Sequence, residues 1–207
     1  MKIAVYSIVA ALSAVVSLSA QETSAWTFKL GAGFTEPVGR TGFYTDTGWT
    51  TSAGLGFNFN SHVGGLIDVD VNNLGVNPTT LSDIGVPGGS VSVFSATLDP
   101  IVHLNPHGRF DVYLTGGGGE YRREQNFVQP IYASTGYGAA PYFGFAGPGN
   151  QIIYSSSVNK PGVDGGVGIA IGTKWHGKVY AEVKYDKIFL SGPYHTDYMP
   201  VTFGYRW

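Results

Sequence analysis

The chain has 207 residues and a formal charge of −2, and 13% of its residues are charged, about half of the roughly 25% usual in soluble domains. Its 31 glycines are about twice the usual share, and aromatics make up 14%. With no cysteine and a slight acidic excess, these figures exclude a disulfide framework and a thiolate metal site, and argue against nucleic-acid binding.

The first element is a signal peptide over 1–20. Met1-Lys2 is a short cationic start, Ile3 to Leu18 is apolar, and Ser19-Ala20 supplies small residues before Gln21-Glu22. The apolar run is shorter than the roughly 20 residues a spanning helix needs. Cleavage after Ala20 leaves 21–207 as the mature domain; Thr23-Ser24-Ala25 is a second acceptable site. Cleavage removes Lys2 and takes the formal charge to −3, and no later segment has 18 consecutive apolar residues.

From Trp26 the pattern has period two. Trp26, Phe28, Leu30, Ala32 and Phe34 alternate with Thr27, Lys29, Gly31 and Gly33. Trp49, Ala53, Leu55, Phe57 and Phe59 alternate with Thr50, Ser52, Gly54 and Gly56; after the turn 60–62, Val63, Ile67, Val69 and Val71 oppose Asp68 and Asp70. A fourth strand lies within 90–104, where Val91 and Val93 suggest one phase, Phe94, Ala96 and Leu98 the other, and Asp99-Pro100 interrupts. After the turn 105–109, Phe110, Val112 and Leu114 oppose Asp111 and Tyr113; Gly116–Gly119 precede Glu120 rather than Lys-Ser/Thr and are no phosphate loop. Val163, Val167, Ile169 and Ile171 then oppose Asp164, Gly166 and Gly168. Past the turn 174–178, Val179, Ala181, Val183 and Tyr185 oppose Glu182 and Lys184, and Val201, Phe203, Tyr205 and Trp207 close the chain.

Alternation places one face of each strand in apolar and the other in polar surroundings. Short connections (60–62, 105–109, 174–178) alternate with long ones (35–48, 72–89, 120–161, 186–197), as in outer-membrane barrels with long loops outside the cell. The predicted fold is therefore all-β: an eight-stranded antiparallel transmembrane β-barrel with short periplasmic turns, long extracellular loops and both termini in the periplasm. A lipocalin-like soluble barrel would alternate too, but would turn Trp26, Phe28, Leu30 and Phe34 inward and leave Lys29 in water.

On these residues the chain resembles the small outer-membrane β-barrel family, which includes the OmpA and OmpX membrane domains, although no globular domain follows the barrel as it does in OmpA. The resemblance implies location in the outer membrane of a Gram-negative-type bacterium, with outer-membrane lipid and the assembly machinery as partners. The machinery would read Val201, Phe203, Tyr205 and Trp207 as a terminal signal. No cofactor is implied, and fold alone does not establish activity.

Three sets of residues are candidates for function. Lys29, Lys184 and Arg206 should face Asp68, Asp70, Asp111, Asp164 and Glu182 in the lumen, either as a filling ion-pair network or as an ion path, with Arg206 expected on Glu182. Inward Gly31, Gly33, Gly54, Gly56, Gly64, Gly166, Gly168 and Gly204 either let the strands curve tightly or bulky neighbours pack, or leave a wet lumen. Tyr132, Tyr137, Tyr142, Phe143 and Phe145 in the longest loop form a candidate surface for an extracellular ligand. The expected role is structural or surface-interacting; a narrow porin-like channel is the alternative. A lipid-modifying enzyme using Ser191, His195 and Asp197, and a metal site at His103 and His107, have only residue types in their favour.

Overall fold

The computed structural model describes residues 25–106, 108–131, 149–173, 177–190 and 195–207. Eight antiparallel strands close into a barrel, each paired with its neighbours in sequence and the last with the first. They are β1 Trp26–Pro37, β2 Thr45–Asn58, β3 Val63–Val76, β4 Gly88–His103, β5 Phe110–Ile131, β6 Gly149–Gly172, β7 Lys178–Phe189 and β8 His195–Arg206. The β1–β8 seam runs from Lys29↔Arg206 to Pro37↔Tyr198, and Trp207 extends it by exchanging backbone bonds with Phe28. With every strand paired on both sides, the barrel has no open edge along its height.

The phase of each strand follows from what its two faces meet. Lys29 is 1% exposed and inward while Trp26 and Phe34 face out, the reverse of a lipocalin-like arrangement. Trp26, Phe57, Phe59, Phe110 and Tyr205 form an outward aromatic ring at the short-turn end; Phe34, Trp49, Phe94 and Phe189 form another toward the long-loop end. Trp26 and Phe34 are eight positions apart, roughly 26 Å of strand at about 3.3 Å per residue. A tilt of about 40° reduces this to roughly 20 Å before the rings are added, close to the ~25 Å apolar band of a membrane barrel.

Strand β4 resolves the two competing phases as one. Val91, Val93, Ser95, Thr97, Asp99 and Ile101 all point inward, and Phe94, Leu98 and Pro100 outward. Val91 and Val93 are apolar yet inward because they sit in an apolar plug near the long-loop end. Pro100 pairs with Gly65 of β3, and the ladder to β5 lacks partners at Asp99 and Pro100 but resumes in unchanged register at Ile101↔Thr115.

The short turns are built from local side-chain bonds: Asn60 Oδ1 accepts from both His62 N and Val63 N at 2.8 Å. The long connections are shorter than the sequence suggested, because strands continue into them. After β3 comes one helical turn, α1 (Pro78–Asp83), with Pro78 in its first turn and Asn77 accepting from Thr79 N at 2.9 Å as its N-cap. Between β1 and β2 lies a 3-10 turn, Thr41–Phe43. Most of 120–161 is strand: β5 and β6 stay paired up to Ile131↔Gly149.

Candidate functional site

The lumen contains a stacked column of side chains. Nearest the short-turn end, Asp111 accepts from His103 Nδ1 at 2.7 Å and from Lys178 Nζ at 3.0 Å. Above it the Arg206 guanidinium lies 4.3 Å from the Tyr113 ring centroid and 5.7 Å from that of Tyr180. The expected Arg206–Glu182 pair does not form, and the three guanidinium nitrogens have no hydrogen-bond partner among the described residues. Glu182 instead accepts from Lys29, one strand beyond β8, at 3.0 Å, while the rings of Tyr113 and Tyr180 pack on Arg206.

The ion-pair layer comes next. Lys29 Nζ is 2.6 Å from Asp68 Oδ2, and Lys184 Nζ reaches the same oxygen at 2.6 Å, Asp99 Oδ2 at 2.9 Å and Asp70 Oδ2 at 3.8 Å. Strands β1, β3, β4 and β7 are thereby tied across the interior by groups almost wholly out of solvent. Each ion in such a site loses hydration worth several kcal/mol, which only close pairing with several partners offsets. Higher up, Tyr121 Oη donates to Asp186 at 2.9 Å and approaches Asp164 at 3.3 Å. Leu74, Val76, Val91, Val93, Ile188 and Tyr198 then form an apolar cluster across the lumen, backed by Leu81 of α1, Phe127 and Leu190.

Some inward glycines admit bulky neighbours, whereas at Gly33, Gly166 and Gly204 a Cβ would first meet the backbone of the adjoining strand. A Cβ on Gly31 would stand 2.3 Å from Tyr180 Oη, one on Gly168 2.2 Å from Tyr113 Cζ, and one on Gly162 2.6 Å from Tyr121 Cε2. Each tyrosine therefore crosses the lumen over a strand position with no side chain. Large-to-small complementarity fills an interior only just wide enough for its own side chains.

All eight charges expected in the lumen point inward; Lys29, Asp68, Asp70, Glu182 and Lys184 converge on one network, while Asp111, Asp164 and Arg206 stand in separate layers. Asp99, Asp186, Lys178, Tyr121 and Tyr198 were missed as lumen residues, whereas Tyr113 and Tyr180 lie on the inward face that the alternation gave them. Asp186 and Lys178 share the inward phase of Glu182 and Lys184 on β7, so continuing that alternation would have found both. Asp99 was obscured by Pro100. On the closing strand, Phe203 is exposed and outward, and the Tyr205 ring packs edge-on to Trp207 at 5.0 Å. Tyr132, Tyr137, Tyr142, Phe143 and Phe145, together with Ser191 and His107, lie outside the described residues. His195 pairs with Asp197 at 3.0 Å; Asp197 N is held by Thr41 Oγ1, and its carbonyl accepts from Val38 N, so this pair is built into the β1–β2 connection.

The long β5–β6 hairpin rises above the plug. The β4 ladder ends at Gly88↔Val128 and the β7 ladder at Gly162↔Ile188, yet β5 and β6 continue together. Beyond Gly162, β6 has β5 as its sole strand partner among the described residues, and Ile152, Ile153 and Tyr154 are all exposed.

Among solved structures, Neisserial surface protein A superposes with a TM-score of 0.59 at 11% identity, over 90% of this chain and 98% of that one. A major outer membrane protein of Thermus thermophilus gives 0.56 at 12% identity, over 89% and 99%. The chain has the fold of the small outer-membrane β-barrels. The attachment invasion locus protein Ail of Yersinia pestis, crystallised with the heparin analogue sucrose octasulfate, is a third such structure, with a TM-score of 0.52 at 16% identity over 89% and 100%. No family model matches the sequence, and no curated protein matches it.

Proposed function

We propose that the chain resides in a bacterial outer membrane as a non-catalytic surface-interaction protein, with the barrel as anchor and the β5–β6 hairpin as the presented element. The observation that carries this reading is the extension of that hairpin past the ladders of both neighbours, with Ile152–Tyr154 exposed at its outer part. A free strand edge offers unpaired backbone groups to an extended partner segment, and exposed apolar side chains supply contact area. The filled lumen supports the anchor role, since ion pairs and an apolar plug block it in series.

Location is tested by fractionation with gel mobility before and after boiling: a band in the outer-membrane fraction that shifts on heating is expected, and a detergent-free periplasmic species refutes it. Surface interaction is tested by replacing 126–154 with a short turn. The variant should still shift on boiling, and cells carrying it should lose binding to immobilised sulfated glycans; unchanged binding refutes the assignment to the hairpin. A narrow channel is the second reading, favoured by inward polar atoms without protein partners among the described residues, such as Thr35 Oγ1, Thr50 Oγ1, Asn72 Oδ1 and Asp164 Oδ1, since such groups are ordinarily met by internal water. Planar-bilayer recording separates the two: silence supports the anchor, and discrete steps support the channel.

A further inference from the structure

The outer face of the barrel carries a groove of about 220 Å³ at its short-turn end. One wall is Trp26, Phe57 and Phe59, whose rings stack edge to face at centroid separations of 5.3 and 5.7 Å. The other is Ile67 and Leu98. The floor is Gly65, an outward position where every large side chain would fill the space; a Cβ there would meet nothing nearer than Phe59 at 3.8 Å.

We propose that this groove seats one acyl chain of a phospholipid in the periplasmic leaflet. The inference rests on the outer-membrane reading above. Three observations select this occupant. The lining is apolar side chain, and β3, which carries the floor, is paired on both sides here with β2 and β4, so it offers no strand edge to a peptide. The groove is continuous with the outward apolar band, where a dry pocket lined by side chains would otherwise lose its dispersion contacts. It also runs from Trp26 and Phe59 at the rim inward to Ile67 and Leu98. Trp favours the headgroup level, so a chain entering here has its ester end at the indole and its tail toward the midplane. The short turns are on the periplasmic side, which selects phospholipid over the lipid of the outer leaflet.

The test is native mass spectrometry of the full barrel released from palmitoyl-oleoyl phosphatidylethanolamine vesicles, with boiling-shift mobility recorded on the same samples. One retained phospholipid per barrel is expected for the unsubstituted protein and for Gly65→Ala, whose Cβ makes an ordinary contact. Gly65→Leu should shift on boiling normally and show a several-fold lower retained fraction. Equal retention by Gly65→Leu overturns the proposal, as does a dimer that Gly65→Leu abolishes, which would make a second copy the occupant. A second readout uses proteins retaining Trp26 alone or Trp49 alone among their tryptophans, in vesicles with brominated acyl chains: Trp26 should be quenched at a lower brominated fraction than Trp49, and equal quenching overturns the proposal. If no sample inserts or shifts on boiling, the membrane reading itself fails and takes the groove with it; insertion without retention removes the groove alone.

Discussion

Removing the charge of Lys184 should be among the most damaging single changes in the barrel. Its Nζ holds Asp68 at 2.6 Å, Asp99 at 2.9 Å and Asp70 at 3.8 Å, whereas Lys29 holds Asp68 at 2.6 Å and Glu182 at 3.0 Å. In Lys184→Met, Asp68 keeps Lys29, while Asp99 and Asp70 lose their cation. Stripping one partner from a buried pair costs about 3–5 kcal/mol. With one well-placed carboxylate stranded and a second at longer range, the expected destabilisation is about 3–5 kcal/mol. Lys29→Met strands Glu182 alone and should cost less. Adding Asp99→Asn to Lys184→Met should restore about half of the loss. Urea titration of folding in lipid vesicles, read by boiling-sensitive mobility, measures all of these quantities. A Lys184→Met barrel within ~1 kcal/mol of the parent, or no rescue by Asp99→Asn, would refute the network as the element that holds the lumen together.

Double-mutant cycles should give a coupling of over ~1 kcal/mol for Lys29 with Glu182 and near-additivity, within about 0.5 kcal/mol, for Arg206 with Glu182; a large coupling in the second cycle would contradict the observed stacking on Tyr113. Gly168→Ala drives a methyl into the Tyr113 ring and should cost about 1–3 kcal/mol, largely recovered when Tyr113→Leu is added, as judged by the same titration. Val167 faces outward near mid-height and Phe110 outward beside a short turn. Val167→Arg should therefore cost roughly 2–4 kcal/mol and Phe110→Arg about 0–1 kcal/mol in vesicles, and equal penalties would argue against the membrane depth assigned to the band.

The alternation from Trp26 to Phe34, and again from Val179 to Tyr185, was legible because period two is a one-dimensional property: each residue's face follows from its neighbours along the chain. For the same reason the closing strand and the inward direction of Lys29, Glu182 and Lys184 could be read directly. Strand ends were less legible. The 120–161 stretch is rich in Gly, Pro, Asn and Ser, residues poor in intrinsic strand preference, yet most of it is strand because β5 and β6 template each other beyond the apolar band.

The architecture, the phase of seven strands and eight of the charges that enter the lumen were written in the linear pattern of residues. Which of those charges meet was settled by packing in three dimensions. Partner choice depends on register and on what fills the gaps across the barrel: Tyr113 and Tyr180, lying over Gly168 and Gly31, pack on Arg206, while Lys29 is the partner of Glu182. Alternation along a strand specifies a direction, whereas a pair in the lumen joins residues up to 153 positions apart and is set by packing around the whole ring.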